Sequence, residues 1–271
     1  MSQTSQSAGG LFREGHLAAA IEAANGAVRK APGDLGARIV LAEMLLFAGN
    51  LERADVILDA AAEADPASAV VVAEFRQLLR GETARRQLRR DGRLPEFLGE
   101  PTASQKEVLK ALVALRAGDG AEAQRAAAAA EAARPHVAGT ADGTAFDDFR
   151  DADDLCAGFF EVLTTTGKYF WVPTERVESV IFHPPKRPRD LFWRRASMVV
   201  TAGPDGEVYV PALYGSDDAT VSDVLRLGRS TEWIEDGAGP VRGIGQRMFL
   251  VGEEAMSIME LTDLSFGADA A

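Results

Sequence analysis

The sequence predicts an α+β protein of two domains. A tetratricopeptide-like array of helices should occupy residues 1–135, and a small, mostly antiparallel β domain residues 136–271. Three observations carry this expectation. A 34-residue period runs through the first half. Short β-rich runs with apolar alternation replace it in the second. Between them lies HVAGTADGTAFDDFRDADD, rich in Gly, Thr and Asp, which has the composition of a boundary.

The period is carried by residues with a physical reason to recur. Gly15 and Gly49, Ala20 and Ala54, Ala27 and Ala61, and Pro32 and Pro66 are each 34 apart. Gly118, Ala123, Ala130 and Pro135 repeat the internal spacing once more. Gly takes the left-handed conformation that ends a helix. Alanines at helical spacing let two antiparallel helices approach closely, and Pro stops the second helix. Helix, turn, helix, stop every 34 residues is the tetratricopeptide pattern. Val40, Leu41, Met44 and Leu45, then Ala54, Ile57, Leu58 and Ala61, supply apolar faces at the same spacing.

Between the second and third copies lies a degenerate block, FRQLLRGETARRQLRRDGRLPEFLG. Arg80, Arg85, Arg86, Arg89, Arg90 and Arg93 crowd into it. On a helix, the pairs Arg85/Arg89 and Arg86/Arg90 share one side. Such a basic face is either solvated and paired with carboxylates elsewhere in the chain, or an anchor for an acidic partner. Arg85, Arg86, Arg89 and Arg90 are therefore the candidate partner-binding residues.

In the second half DDLCAGFFEVLTTTG reads as a short helix, capped by Asp153 or Asp154 and ended by Gly167. KYFWVP, RVESVIF, ASMVVTAG, EVYVPALY and QRMFLVG read as strands. GPDGE should turn a hairpin, with Gly206 at positive φ. VRGIGQRMFLVG carries two glycines one residue apart beside Arg242 and Arg247. A dinucleotide loop would need a third glycine three residues later, opening a helix, and Met248 stands there before a β-rich run. These glycines are expected to form a bulge or tight turn within a sheet.

Charge excludes one class of partner. The first half holds 17 Lys/Arg against 18 Asp/Glu, and the second 12 against 23. An acidic second half would be repelled by a phosphate backbone, so no nucleic-acid partner is expected. No apolar run is long enough to span a membrane. MSQTSQSAGG has neither the basic start nor the apolar stretch of a signal peptide, and a single cysteine, Cys156, cannot form an internal disulfide. The expected location is cytoplasmic.

Chemistry is sparse. His16, His136 and His183 share no helical spacing, so no zinc pattern, other metal or cofactor is expected. Cys156 sits among apolar residues and reads as a core thiol. Asp147, Asp148, Asp151, Asp153 and Asp154 lack the glycine and closing glutamate of a calcium loop; capping and pairing to arginine explain them more simply. In KRPRDLFWRR, a buried Arg–Asp pair beside Trp193 would pin the following strand. The enzymatic alternative is a small hydrolase or ligand-binding enzyme with a site around Asp151, Asp153, Arg189 and Arg242. A closed polar pocket holding these residues would favour that alternative; an open apolar groove would favour an adaptor.

RDADDLCAGFFEVLTTTGKYFWVP, RPRDLFW, VYVPALYGS, LRLGRSTEW and VRGIGQRMFLVG together resemble the ImpE family, also called TagJ, of type VI secretion accessory proteins. LRRDGRLPEFLGEP resembles the family's central segment, and the resemblance runs from about Leu11 to Leu261. It implies a non-enzymatic cytoplasmic adaptor. It also implies partners: the N-terminal helix of the small contractile-sheath subunit, and the ClpV-type unfoldase that recycles the sheath. It supplies no catalytic residues.

Overall fold

The computed structural model describes residues 7–64, 69–215, 220–235 and 237–267. The first half is built of helices α1 (Ala8–Glu14), α2 (Leu17–Lys30), α3 (Leu35–Phe47), α4 (Leu51–Ala64), α5 (Ala69–Asp91), α6 (Ala103–Arg116) and α7 (Gly120–Ala133). The predicted glycines end their helices: Gly15, Gly49 and Gly118 have φ of 92°, 78° and 77°. Asp34 and Asp119 cap the next helices with their carboxylates, and Thr102 and Gln105 form a reciprocal capping box on α6. Ala20, Ala54 and Ala123 are completely buried where paired helices meet, so their small size sets the approach of the backbones. Pro32 and Pro135 follow the ends of α2 and α7. Pro66 lies outside the described residues.

The helical half contains one exception to the helix–turn–helix expectation. β1 (Glu96–Phe97) pairs in parallel with β6 (Tyr169–Pro173). Pro95 biases Leu94 towards extended backbone, and the extended chain adds to the edge of a sheet. Phe97 is then held edge-on to Trp171, with centroids 6.1 Å apart.

The remaining strands are β2 (Gly139–Ala141), β3 (Thr144–Phe146), β4 (Phe149–Asp151), β5 (Phe159–Leu163), β7 (Val177–Phe182), β8 (Trp193–Val200), β9 (Asp205–Pro211), β10 (Leu213–Tyr214), β11 (Thr231–Ile234), β12 (Arg242–Gln246), β13 (Met248–Val251), β14 (Glu254–Ser257) and β15 (Asp263–Phe266). A four-residue helix, α8 (Asp223–Arg226), precedes β11. The main sheet has the order β1-β6-β5-β9-β8-β7-β15-β2-β3, and every pairing but β1–β6 is antiparallel. Two three-stranded sheets, β10-β12-β11 and β14-β13-β4, complete the fold.

One apolar cluster joins the halves. Leu41, Leu58, Phe75 and Leu88 on the helices belong to the same buried cluster as Phe159, Leu163, Trp171 and Trp193 on the strands. A second cluster, with Phe149, Phe160, Val180, Phe249 and Leu264, lies within the β half.

Two local expectations are corrected. Residues 153–167 form no helix: turns at Asp154–Gly158 lead into β5, all of it buried. The Phe-Phe-Glu-Val-Leu run has β-forming residues and two strand partners, β6 and β9, so tertiary pairing overrides the capping signal. Gly167 does adopt positive φ, but in the turn between β5 and β6. The β8–β9 hairpin turns at residues 201–204, beginning two residues earlier than expected, with Ala202 at φ 50°. Gly206 does have positive φ, 155°, but lies inside β9 rather than in the turn.

A charged junction beneath the candidate partner surface

The four candidate arginines sit at different depths on α5. Arg85 is buried; Arg86 and Arg89 are half-buried; Arg90 is exposed. Arg85 and Arg89 look towards the β half, while Arg86 turns to the α3–α4 turn and Arg90 to solvent, so this is not the uniformly solvated basic face that spacing alone suggests. Arg85 makes a two-pronged contact with Glu161 on β5, Nε to Oε1 at 3.0 Å and Nη2 to Oε2 at 2.8 Å, and also donates to the Leu213 carbonyl. Arg86 donates to Glu82 Oε1 at 3.3 Å and to the Gly49 carbonyl at 2.8 Å. Arg89 donates to the Gly215 carbonyl at 2.8 Å. Arg90 pairs with Asp91. Pairing with a carboxylate elsewhere in the chain, one of the two sequence readings of this face, is observed for Arg85; Arg86 and Arg90 pair with Glu82 and Asp91 of their own helix.

Glu161 is the hub of a buried network. Arg247 reaches both Glu161 and, at 2.7 Å, Asp151 Oδ2. Tyr169 donates its hydroxyl to Glu161 at 2.5 Å and accepts from Trp171 Nε1 at 2.7 Å. Tyr214 donates to Asp151 at 2.7 Å, and its ring lies 5.2 Å from the Arg247 guanidinium. Asp151 and Asp153 each close an Asx-type turn, accepting from the backbone of Asp153 and Leu155, and Asp153 also accepts from Gly243 N. Such paired, hydrogen-bonded charges are tolerated in a core, whereas isolated ones are not.

The two hub carboxylates are pushed in opposite directions. Burial raises Glu161, but two guanidiniums, Arg85 and Arg247, outweigh it and hold the carboxyl well below the usual range. Burial also raises Asp151; it has one guanidinium and a neighbouring carboxylate, Asp153, so it is pushed up to about 6. Burial pushes the Cys156 thiol well up, which makes it unreactive as a nucleophile.

The glycines of β12 belong to this junction. A Cβ on Gly243 would lie 2.2 Å from the Tyr214 ring, and one on Gly245, at φ +92°, would lie 2.2 Å from the Ser230 carbonyl. They make room for strand packing, as a sheet irregularity would, and open no helix.

The residues of the enzymatic alternative do not all converge: Arg242 opens β12, next to the Gly243 N–H that binds Asp153, but Arg189 lies elsewhere. Asp151 and Asp153 share the network, but Arg189 lies in a separate pair with Glu43 of α3 at 2.8 Å, 4.7 Å over the Phe75 ring. Asp190 is bound by Arg187, so the pair expected within KRPRDLFWRR forms with Arg187, while Trp193 donates to Glu82. Asp148 and Asp154 pair with Arg134 and Arg150. Among the described residues, no group of three His, Cys, Asp or Glu side chains is placed to hold a metal, and no helix is long and apolar enough to cross a membrane.

Sequence reasoning missed Glu161, Arg247, Glu82 and Tyr214. The signal for two of them was local. Glu161 interrupts the apolar run FFEVL, and Arg247 separates two β runs. A charge inside such a run points to a buried partner.

An open, largely apolar groove of about 530 Å³ runs between α1, α2 and α3, walled by small residues including Ala23, Ala27, Gly36, Ala37 and Val40. A second surface hollow of about 360 Å³ lies where the α3–α4 turn meets α5, bordered by Asn50, Thr83, Arg86 and Arg90.

Comparison with known proteins places this architecture. A tetratricopeptide repeat model matches residues 11–75, and the ImpE protein model matches residues 143–265. The type VI secretion system accessory component TagJ of Pseudomonas aeruginosa is 30% identical over 256 residues, 94% of this chain and 89% of that protein. The chain belongs to the ImpE/TagJ family. The crystal structure of protein VPA1032 from Vibrio parahaemolyticus superposes with a TM-score of 0.89 at 26% identity, covering 96% of this chain and 97% of that one. The ImpE match covers all but the first strand of the β half, including Asp151, Glu161, Tyr214 and Arg247 of the junction.

Proposed function

We propose that this protein is a non-enzymatic, cytoplasmic adaptor of a type VI secretion system, which captures a helix of the small sheath subunit and links it to the recycling unfoldase. The observation that carries the reading is the similarity to TagJ over nearly the whole chain. The α1–α3 groove suits the reading: its small-residue walls leave room for the apolar face of an amphipathic helix. Arg86 and Arg90 border the neighbouring hollow and steer acidic residues of the incoming helix. Arg89 opens inward, and Arg85 positions α5 by holding Glu161, so these two act behind the surface.

The test is co-purification of the full chain with the sheath subunit, intact or lacking its N-terminal helix, and then with the unfoldase added. The intact subunit is expected to be retained and the truncated one lost. Equal retention of both would refute helix capture, and no unfoldase in the complex would remove the link.

A further inference from the structure

A pocket of about 70 Å³ lies between the two halves, away from the α1–α3 groove. Arg85, Arg86 and Arg89 of α5 line one side, and Phe47, Leu225 and Ile244 belong to its apolar wall. Its size matches a small ion: at ~10–15 Å³ per water-sized probe, it holds about five waters.

The charge balance inside it is uneven. Glu82 is the only carboxylate among the described lining residues. It is already committed to Arg86, to Arg85 at 3.6 Å and to the Trp193 indole N–H. Glu161 is taken by Arg85 and Arg247, and Asp151 by Arg247. Arg89 donates to one backbone acceptor, Gly215 O, and its charge is met by Glu161 and Asp153 only at longer range, with no hydrogen bond or ion pair to a carboxylate among the described residues. Arg85 Nη1 and Arg89 Nη1 both approach Gly215: a Cβ there would be 3.7 and 3.4 Å from them. Two guanidiniums therefore converge on one side of a half-closed space with donors to spare. A guanidinium out of bulk water is stabilised by an oxyanion, whose geometry matches its planar fork.

We propose that this pocket binds a small free oxyanion, a carboxylate or phosphate compound no larger than citrate, with Arg89 as its principal ligand. Binding there would tie α5 to the β10–β12 side of the β half. The site needs neither the secretion partner nor the groove, so it stands or falls independently of the adaptor reading.

The test is isothermal titration calorimetry of the full chain with inorganic phosphate and with citrate, at ionic strength held constant with chloride. At least one of them is expected to saturate at one equivalent per chain. Arg89→Ala is expected to weaken that binding at least tenfold. Val221→Trp adds bulk to the pocket lining without altering a charge, and is expected to weaken it equally even if Arg89→Ala folds poorly. No saturation by either ion at about 10 mM, roughly tenfold above a Kd of 1 mM, would overturn the proposal. So would binding that survives in a folded Arg89→Ala or in Val221→Trp.

Discussion

Arg247 shows how much one side chain can organise. It is completely buried, and its two terminal nitrogens serve Asp151 and Glu161. Arg247→Met removes the partner of one carboxylate and half the pairing of another. Uncompensated buried charge costs on the order of 3–5 kcal/mol, so urea unfolding of the variant should show a loss of that size. An unchanged midpoint would mean that water relieves both carboxylates. Asp151 makes a pH prediction with a definite sign. Its folded pKa, about 6, lies above the unfolded value of about 3.9. The folded state therefore binds this proton more tightly, and the contribution of Asp151 becomes more favourable as pH falls from 7 to 5. The difference in stability between the wild type and Asp151→Asn should shift by on the order of 1 kcal/mol in favour of the wild type over that range. A difference independent of pH would place the Asp151 pKa near its ordinary value.

At the scale of elements, size matters more than charge. Ala54 is completely buried in the contacts of α4. Ala54→Leu overfills that space and should cost about 1–3 kcal/mol, read as a lower thermal midpoint with helical content retained. Gly243→Ala places a methyl on the Tyr214 ring. It should cost about as much for the same reason, and should do so in any buffer, phosphate included. These positions also show what was legible beforehand. Gly15, Gly49, Gly118 and the buried alanines announce the helical hairpins because helix ends and close approaches have narrow chemical requirements. The strands β6, β7, β8 and β13 announce themselves by β-branched and aromatic residues. The segment 153–167 did not: its cap signal is genuine, since Asp153 does bind the Leu155 N–H, but an Asx turn before a strand uses the same contact as a helix cap. β1 was illegible because two residues carry no period, and only the waiting edge of β6 makes them a strand.

At the scale of the molecule, the two sequence halves share a core. The Arg85–Glu161 pair, the Glu82–Trp193 contact and the apolar cluster all cross the 135/136 boundary. Neither polar contact could be read from periodicity, because they join residues 76 and 111 positions apart. The four arginines were legible as a group, but their depths were not. Spacing gives the side of a helix and says nothing of what covers it. We expect the halves to unfold together. Scanning calorimetry should give one transition, with the van't Hoff enthalpy equal to the calorimetric one; two resolved transitions would show independent domains.

The adaptor reading is tested most directly by surface plasmon resonance between the full chain and a peptide of the sheath subunit's N-terminal helix, at low and high salt. Saturable binding is expected, with association slowed by salt. The double variant Arg86→Ser/Arg90→Ser, which leaves the Arg85–Glu161 pair intact, should slow association and flatten its salt dependence while dissociation stays nearly constant. An unchanged association rate would remove the arginines from capture. No binding of the wild type at high peptide concentration would contradict the central claim that this protein holds a sheath helix.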